Sequence, residues 1–153
     1  MPLDPSFVGR SYPPTAPYQV VREKIREFAA AIGDANPAYS DVEAARALGY
    51  SDVVAPPTFA VVLSMQAAHQ VVSDPALGLD YSRVVHGDQR FTYDRPIVAG
   101  DELSVGVTVE RIKSIGGNDI ISTRGDLVDA TGDVVCRAYS TLVARAPEDG
   151  SAA

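Results

Sequence analysis

Residues 58–72 read TFAVVLSMQAAHQVV, a run that places apolar side chains on nearly every face of a helix. Two prolines precede this run and Asp74-Pro75 follows it, so we predict a helix from Thr58 to about Val72. A helix that is apolar all round belongs in the middle of a domain rather than on its surface. The run therefore predicts a central, buried helix, with His69 as one of its core residues.

The sequence after this helix changes to a β pattern. Val, Ile, Thr and Tyr dominate four segments, which are separated by short turns containing Gly, Asn or Asp. The strand candidates are about 83–95, 102–114, 119–129 and 133–145. Connections of hairpin length favour antiparallel pairing between consecutive strands. An antiparallel sheet wrapped around a buried helix predicts the α+β class.

The sequence before the central helix predicts two shorter helices and a turn between them. Helical spacing of apolar residues runs from about Val21 to Ile32, and a second helix is predicted from Asp41 to Leu48. The segment GDANP, residues 33–37, has the composition of a helix C-cap followed by a turn. Any chemistry carried by this segment would therefore sit on a loop between two helices.

Length and charge narrow the possible functions. With 153 residues the chain fits one domain, which we divide into an extended, proline-rich arm over 1–17, a folded domain over 18–146 and a flexible tail over 147–153. The chain has 13 basic and 20 acidic side chains and a net charge of −7. That sign disfavours nucleic acid and an anionic membrane as partners, because both bind basic surfaces.

No signal-peptide pattern and no run near ~18 apolar residues is present, so we expect a cytoplasmic protein.

Few side chains are available for metal or nucleophile chemistry. Cys136 is the single cysteine, and the two histidines are His69 and His86. One cysteine excludes an internal disulfide and a cysteine-rich metal site, so we expect no metal and no cofactor. We interpret Cys136 as a small buried hydrophobic residue.

Several motifs together resemble one family. Residues 28–39, FAAAIGDANPAY, are similar to the hydratase motif of MaoC-like (R)-specific enoyl-thioester hydratases and 3-hydroxyacyl dehydratases, in which an aromatic residue precedes Gly-Asp-x-Asn-Pro, an aliphatic residue and His. Residues 91–101, FTYDRPIVAGD, look like the second landmark of that family, an aromatic residue followed by Arg-Pro and Gly-Asp. Residues 55–59 and 86–91 resemble the N-terminal-type dehydratase domain, which includes small subunits of (3R)-hydroxyacyl-carrier-protein dehydratases. The resemblance implies the hot-dog fold, a curved antiparallel sheet wrapped around a long central helix.

The resemblance also implies a reaction, the exchange of water with an enoyl or 3-hydroxyacyl thioester. In the family an Asp and a His five positions later hold the water, and backbone amides at the start of the central helix polarise the thioester carbonyl. Here Asp34 takes the Asp position, Asn36 braces the loop, and Pro57 and Thr58 lie where those amides are expected. The His position holds Tyr39.

Tyr39 is the departure from the family pattern with the largest consequence. Its unperturbed pKa near 10 makes it a poor proton shuttle at neutral pH compared with His. In the resembled dehydratases one hot-dog subunit keeps the Asp and the His, while its partner lacks them and shapes the acyl-chain tunnel. The resemblance therefore implies an accessory, acyl-binding component of a 3-hydroxyacyl-thioester dehydratase or (R)-specific enoyl-thioester hydratase of fatty-acid metabolism.

Two alternatives stay open. One is a non-catalytic hot-dog module that binds an acyl thioester or a protein, and the other is a self-sufficient hydratase that uses Asp34 with Tyr39 or His86. For the dehydratase we expect an acyl-CoA or acyl-carrier-protein substrate. We also expect a homodimer or a heterodimer with a MaoC-like catalytic subunit, because a lone hot-dog sheet leaves one face and one edge uncovered.

Overall fold

The computed structural model describes residues 3–146, so the tail predicted over 147–153 lies outside the described residues. The helices within them are α1 (Arg22–Ala31), α2 (Val42–Ala47) and α3 (Val61–Val72), and the strands are β1 (Tyr18–Gln19), β2 (Val84–Tyr93), β3 (Glu102–Ile115), β4 (Asn118–Val128) and β5 (Val134–Ala144). Short 3-10 helices span Pro5–Phe7, Pro37–Tyr39 and Tyr81–Arg83. Every predicted helix and strand is present with bounds shifted by at most three residues, and β1 is an addition.

The central helix α3 is buried on one face only. Its buried side chains are Leu63, Ser64, Ala67 and Val71. The opposite face is open to solvent in the single chain, where Met65 is 59% exposed. The prediction of a helix buried on nearly every face is therefore wrong, because the sheet covers only one side of it. His69 is likewise exposed rather than in the core, and its Nε2 is hydrogen-bonded to the Ser73 hydroxyl at 3.0 Å.

The strand order of the sheet is β1-β3-β4-β5-β2, with every pair antiparallel. The predicted pairing of consecutive strands is confirmed for β3–β4 and β4–β5. It is wrong for β2 and β3, because β2 pairs with β5 at the far side of the sheet. The β2–β3 connection is a crossing rather than a hairpin: Ile97 is buried within it, its carbonyl accepts from the Ala55 N–H at 2.8 Å, and Val98 pairs with Val54.

The sheet curves around α3 and supplies most of the core. The inner faces of β3 and β4 bury Val105, Val107, Val109, Ile121 and Leu127. Bulges in β2 and β3, at Gly87 and Glu110, interrupt the ladder and help the strands to bend. Cys136 is fully buried in this core, as predicted. A curved antiparallel sheet around a central helix is the hot-dog fold that the resemblance implied.

The arm at the N-terminus lies along β3. Backbone N–H groups of Gly9, Tyr12 and Thr15 donate to carbonyl oxygens of β3 at 2.8 to 3.0 Å. The arm and β1 together cover the outer edge of β3, which leaves β2 as the open edge of the sheet formed by the described residues, 3–146. No helix within residues 3–146 is long and apolar enough to cross a bilayer.

Candidate functional site

The loop between α1 and α2 is held by short-range hydrogen bonds. Gly33 ends α1 with a φ of +72°, a conformation that favours glycine. The Asp34 carboxylate accepts the N–H of Asn36 at 3.1 Å, and the Asn36 side-chain oxygen accepts the N–H of Ala38 at 3.0 Å. Asn36 thereby caps the 3-10 helix that carries Tyr39. The loop presents Asp34 and Tyr39 in a fixed arrangement.

Tyr39 lies beside Asp34 in this loop. Burial raises the pKa of Tyr39 above its ordinary value of 10, and the negative charge of Asp34, the neighbouring Tyr50 and hydrogen bonding with Asp34 act in the same direction. The phenol therefore keeps its proton at neutral pH. In this arrangement Tyr39 cannot accept a proton from water, which is the step that the imidazole of the family motif performs.

A cleft of about 370 Å³ opens beside this loop. Its apolar wall is formed by Leu48, Val54, Ala55, Pro57, Pro96 and Ile97, and its polar groups come from Asn36, Tyr39, Tyr50, Tyr93, Asp94 and Arg95. This volume lies within the range of small-molecule sites, which combine an apolar lining with a few polar groups. The cleft is the concave site that adjoins the hydratase-like loop.

The start of α3 adjoins the same cleft. Pro57 lines the cleft, and Thr58 follows it with an exposed side chain. Phe59 is fully buried, and its ring meets that of Phe28 on α1 edge-on, with centroids 5.4 Å apart and planes at 78°. This contact couples α1, the helix that leads into the loop, to the turn that precedes α3 and reaches the cleft at Pro57.

The predicted site residues fall into two groups. Asn36, Tyr39 and Pro57 line the cleft. Asp34 and Thr58 do not line it, but Asp34 lies near Tyr39 and Thr58 is the next residue after Pro57. His86 lies elsewhere, near the beginning of β2, and its Nε2 is hydrogen-bonded to the Ser140 hydroxyl at 3.0 Å. Within one chain His86 does not line the cleft.

Four polar residues of the cleft were not among the predicted site residues, namely Tyr50, Tyr93, Asp94 and Arg95. Tyr50 and Tyr93 contribute hydroxyls, and Arg95 forms a fork to Asp101 at 2.9 and 3.0 Å. Hydrogen bonding to Asp101 raises the pKa of Arg95, so the guanidinium remains charged. Tyr93 and Arg95 belong to the second family motif, residues 91–101, so that motif could have predicted them. In the structure its Arg-Pro and Gly-Asp positions meet, because Arg95 binds Asp101, and Tyr93 lines the same cleft as Arg95.

The described residues, 3–146, contain no group of three His, Cys, Asp or Glu side chains placed to hold a metal ion. The polar side chains that line the cleft are a carboxylate, three phenols, a guanidinium and a carboxamide.

Comparisons with known proteins agree with this fold. The family described as FAS1-like, dehydratase domain region, matches residues 6–138. A UPF0336 protein of Streptomyces avermitilis is 63% identical over 150 residues, which cover 98% of this chain and 100% of the relative. A UPF0336 protein of Saccharopolyspora erythraea is 60% identical over 145 residues, covering 95% of this chain and 93% of the relative.

Two solved structures extend the comparison. A MaoC-like dehydratase superposes with a TM-score of 0.86 at 35% identity, covering 93% of this chain, and this chain spans 43% of that longer one. The HadBC (3R-hydroxyacyl-ACP dehydratase) complex of Mycobacterium tuberculosis superposes with a TM-score of 0.79 at 34% identity, covering 90% of this chain and 96% of the matched chain. The chain therefore belongs to the FAS1-like dehydratase-domain family, within the MaoC-like hot-dog dehydratases.

Proposed function

We propose that this chain is a cytoplasmic, accessory, acyl-binding subunit of a 3-hydroxyacyl-thioester dehydratase or (R)-specific enoyl-thioester hydratase. The observation that carries the proposal is Tyr39, which stands at the His position of the motif, lines the cleft beside Asp34 and has a pKa that burial raises further above its ordinary value. A phenol that keeps its proton at neutral pH cannot form, with Asp34, the pair of groups with separated pKa values that this chemistry needs. Asp34 then belongs to a water site completed by another subunit, or is the vestige of one.

The cleft supports a role in binding an acyl thioester. Its apolar wall suits a hydrocarbon chain, and the start of α3 reaches it at Pro57. Amides at a helix start favour negative charge, so they suit the thioester oxygen, on which negative charge develops during the reaction. We assign substrate binding to Asn36, Pro57 and Thr58.

The open edge of β2 supports a second hot-dog subunit as the partner. Within residues 3–146, one side of β2 pairs with no strand. Val85 on this strand is 45% exposed, and the 59% exposed Met65 of α3 lies beside Gln89 of β2 around a small void. A row of unpaired backbone groups next to exposed apolar side chains suits the addition of another strand.

A heterodimer explains the site better than a homodimer. A partner that carries Asp-x-Asn-Pro-x-His supplies the missing imidazole, whereas a second copy of this chain brings a second Tyr39. The relative in the HadBC structure is itself one component of a complex. We therefore favour a MaoC-like catalytic subunit as the partner.

The ion pairs around the cleft indicate which subunit contacts the phosphate of the acyl carrier. Coenzyme A and acyl carrier protein both present phosphate, which Arg and Lys recognise. The arginines on the elements around the cleft are in ion pairs: Arg22 with Asp52, Arg46 with Glu43, and Arg95 with Asp101 and Asp129. We infer that the catalytic subunit supplies most of the contact with the phosphate.

The test is the hydration of crotonyl-CoA, followed by the loss of enoyl absorbance. The purified chain is assayed alone and together with a hot-dog subunit that carries the complete Asp and His motif. The proposal predicts no turnover by this chain alone and a higher turnover by the pair than by the catalytic subunit alone. An Asp34→Ala variant is assayed in parallel in both settings.

Two other results would replace the proposal. Turnover by the chain alone that disappears in Asp34→Ala would establish a self-sufficient hydratase, with Tyr39 or a second copy's His86 in place of the imidazole. No stimulation of any catalytic subunit, together with binding of crotonyl-CoA or of a protein, would favour a non-catalytic binding module.

A further inference from the structure

Tyr93, the last residue of β2, reaches across to the start of α3. Its hydroxyl donates to the carbonyl oxygen of Pro57 at 2.5 Å, although Pro57 lies 36 residues earlier in the chain. One side chain of the sheet therefore holds a backbone carbonyl of the turn that precedes α3.

The turn over 56–60 is anchored on one side by the buried side chains of Phe59 and Ala60. Neither Pro56 nor Pro57 has an N–H, so the backbone of these two residues can accept hydrogen bonds but cannot donate them. The Pro56 carbonyl accepts the N–H of Phe59 at 2.9 Å, and the Pro57 carbonyl accepts the Tyr93 hydroxyl. Among the hydrogen bonds of residues 3–146, the Tyr93 bond is thus the one that joins this turn to the sheet.

The Tyr93 ring is itself fixed by the strand. Tyr93 lies opposite the fully buried Cys136 in the β2–β5 register. Burial raises the pKa of Tyr93, with a further rise from Cys136, and the backbone of Ala60 acts in the opposite direction. The hydroxyl therefore stays protonated at neutral pH and remains a donor.

We infer that Tyr93 is a positioning residue for the thioester site, whose hydroxyl sets where the amides at the start of α3 lie relative to the cleft. The inference rests on the proposed function, which places the thioester carbonyl at those amides. Tyr93 lines the same cleft as Pro57, so a shift of the turn away from Tyr93 alters the site directly. Hydrogen-bond donors that stabilise developing negative charge must already be in position before the reaction begins. A displacement of such groups by ~1 Å can lower the rate by on the order of 100-fold.

The test substitutes Tyr93→Phe, which keeps the ring and removes the hydroxyl, and Tyr93→Leu, which removes both. Hydrogen exchange of the full chain is measured by mass spectrometry over the peptide that contains Phe59 and Val61. For Tyr93→Phe the inference predicts exchange of these amides about tenfold faster than in the unsubstituted protein, with β4 unchanged. Tyr139→Phe is the matched control, because Tyr139 loses a hydroxyl on the sheet face away from α3, where its ring stacks under Arg90.

The second measurement is crotonyl-CoA turnover by the pair of this chain with its catalytic subunit. Because the amides act mainly on charge that develops in the transition state, Tyr93→Phe should lower kcat about tenfold and leave KM within about twofold. Tyr139→Phe should change neither constant by more than about twofold. A role in packing alone predicts instead that Tyr93→Phe matches the unsubstituted protein while Tyr93→Leu is impaired.

The outcomes separate the two proposals. Exchange and kcat in Tyr93→Phe that equal those of the unsubstituted protein would overturn the positioning role. Faster exchange with unchanged kcat would also overturn it, since the turn would move without affecting the reaction. If the unsubstituted pair shows no turnover, the proposed function fails, and with it the thioester role of Tyr93, while the exchange result still decides whether Tyr93 holds the turn.

Discussion

Phe59 links the loop that carries Asp34 to the core, and its truncation is the most informative test of this packing. The side chain is 0% exposed and lies edge-on to Phe28 at 5.4 Å. Phe59→Ala removes the whole ring and leaves a cavity between α1 and α3. Such truncations in well-packed cores cost about 3–5 kcal/mol, of which about 0.5–1.5 kcal/mol belongs to the aromatic pair.

We therefore expect Phe59→Ala to lower the free energy of unfolding by about 4 kcal/mol, a large part of the ~5–15 kcal/mol typical of a domain. For a chain of this length that corresponds to a fall in Tm of roughly 8–16 °C. The assay is urea and thermal unfolding followed by circular dichroism at a fixed protein concentration, because assembly makes stability concentration-dependent.

Two further variants make the result interpretable. Ile115→Ala is the control, because Ile115 is 59% exposed and its loss should cost less than about 0.5 kcal/mol. Phe59→Leu keeps most of the volume and should cost about 1–2 kcal/mol, which allows a measurement if the alanine variant does not fold. A loss below about 1 kcal/mol in Phe59→Ala would refute the reasoning that this contact ties α1 to α3.

Three other predictions concern the site, the partner surface and acid stability. Tyr39→His should give the assembled chain measurable crotonyl-CoA hydration that a second Asp34→Ala substitution abolishes; a rate equal to that of the unsubstituted chain would contradict the interpretation of Tyr39. Met65→Lys and Val85→Lys should weaken assembly in sedimentation experiments and leave the circular dichroism unchanged, whereas unaltered assembly would place the interface elsewhere. Hydrogen bonds to Asp129, of which the one from the Thr131 side chain has the largest effect, lower its pKa from 3.8 to about 2. The ionised Asp129 carboxylate therefore stabilises the folded state fully above about pH 4, and this stabilisation is lost as the pH falls towards 2. An Asp129→Asn variant should therefore show a weaker dependence of unfolding on pH across that window, and an unchanged dependence would contradict this assignment.

Local sequence pattern predicted the elements well and their arrangement less well. The helices and strands lie within three residues of their predicted bounds, because turn residues and apolar periodicity mark them locally. The pairing of β2 with β5 was missed because the crossing over 94–101 has the same turn composition as a hairpin. Only contacts with distant residues, such as Val98 with Val54, distinguish the two.

The candidate site likewise contains residues that a local motif predicted and contacts that no local motif could predict. Asp34, Asn36 and Tyr39 are close in the chain, so their motif predicted where they lie together. Tyr93 contributes through a bond to Pro57, a contact between residues far apart in sequence that no local pattern contains. The exposed face of α3 was also missed, because apolar spacing shows which residues avoid water but not which molecule covers them.

We propose that the acyl thioester binds in the cleft between the hydratase-like loop and the start of α3. A crotonyl-CoA titration of the ¹⁵N-labelled chain, alone and with its unlabelled catalytic subunit, locates the binding site through amide chemical shifts. We expect the largest changes at Tyr39, Thr58 and Ile97, in or next to the cleft of about 370 Å³. Changes centred instead on the groove of about 560 Å³ that includes Arg90 and Tyr139, or no change in either setting, would contradict it.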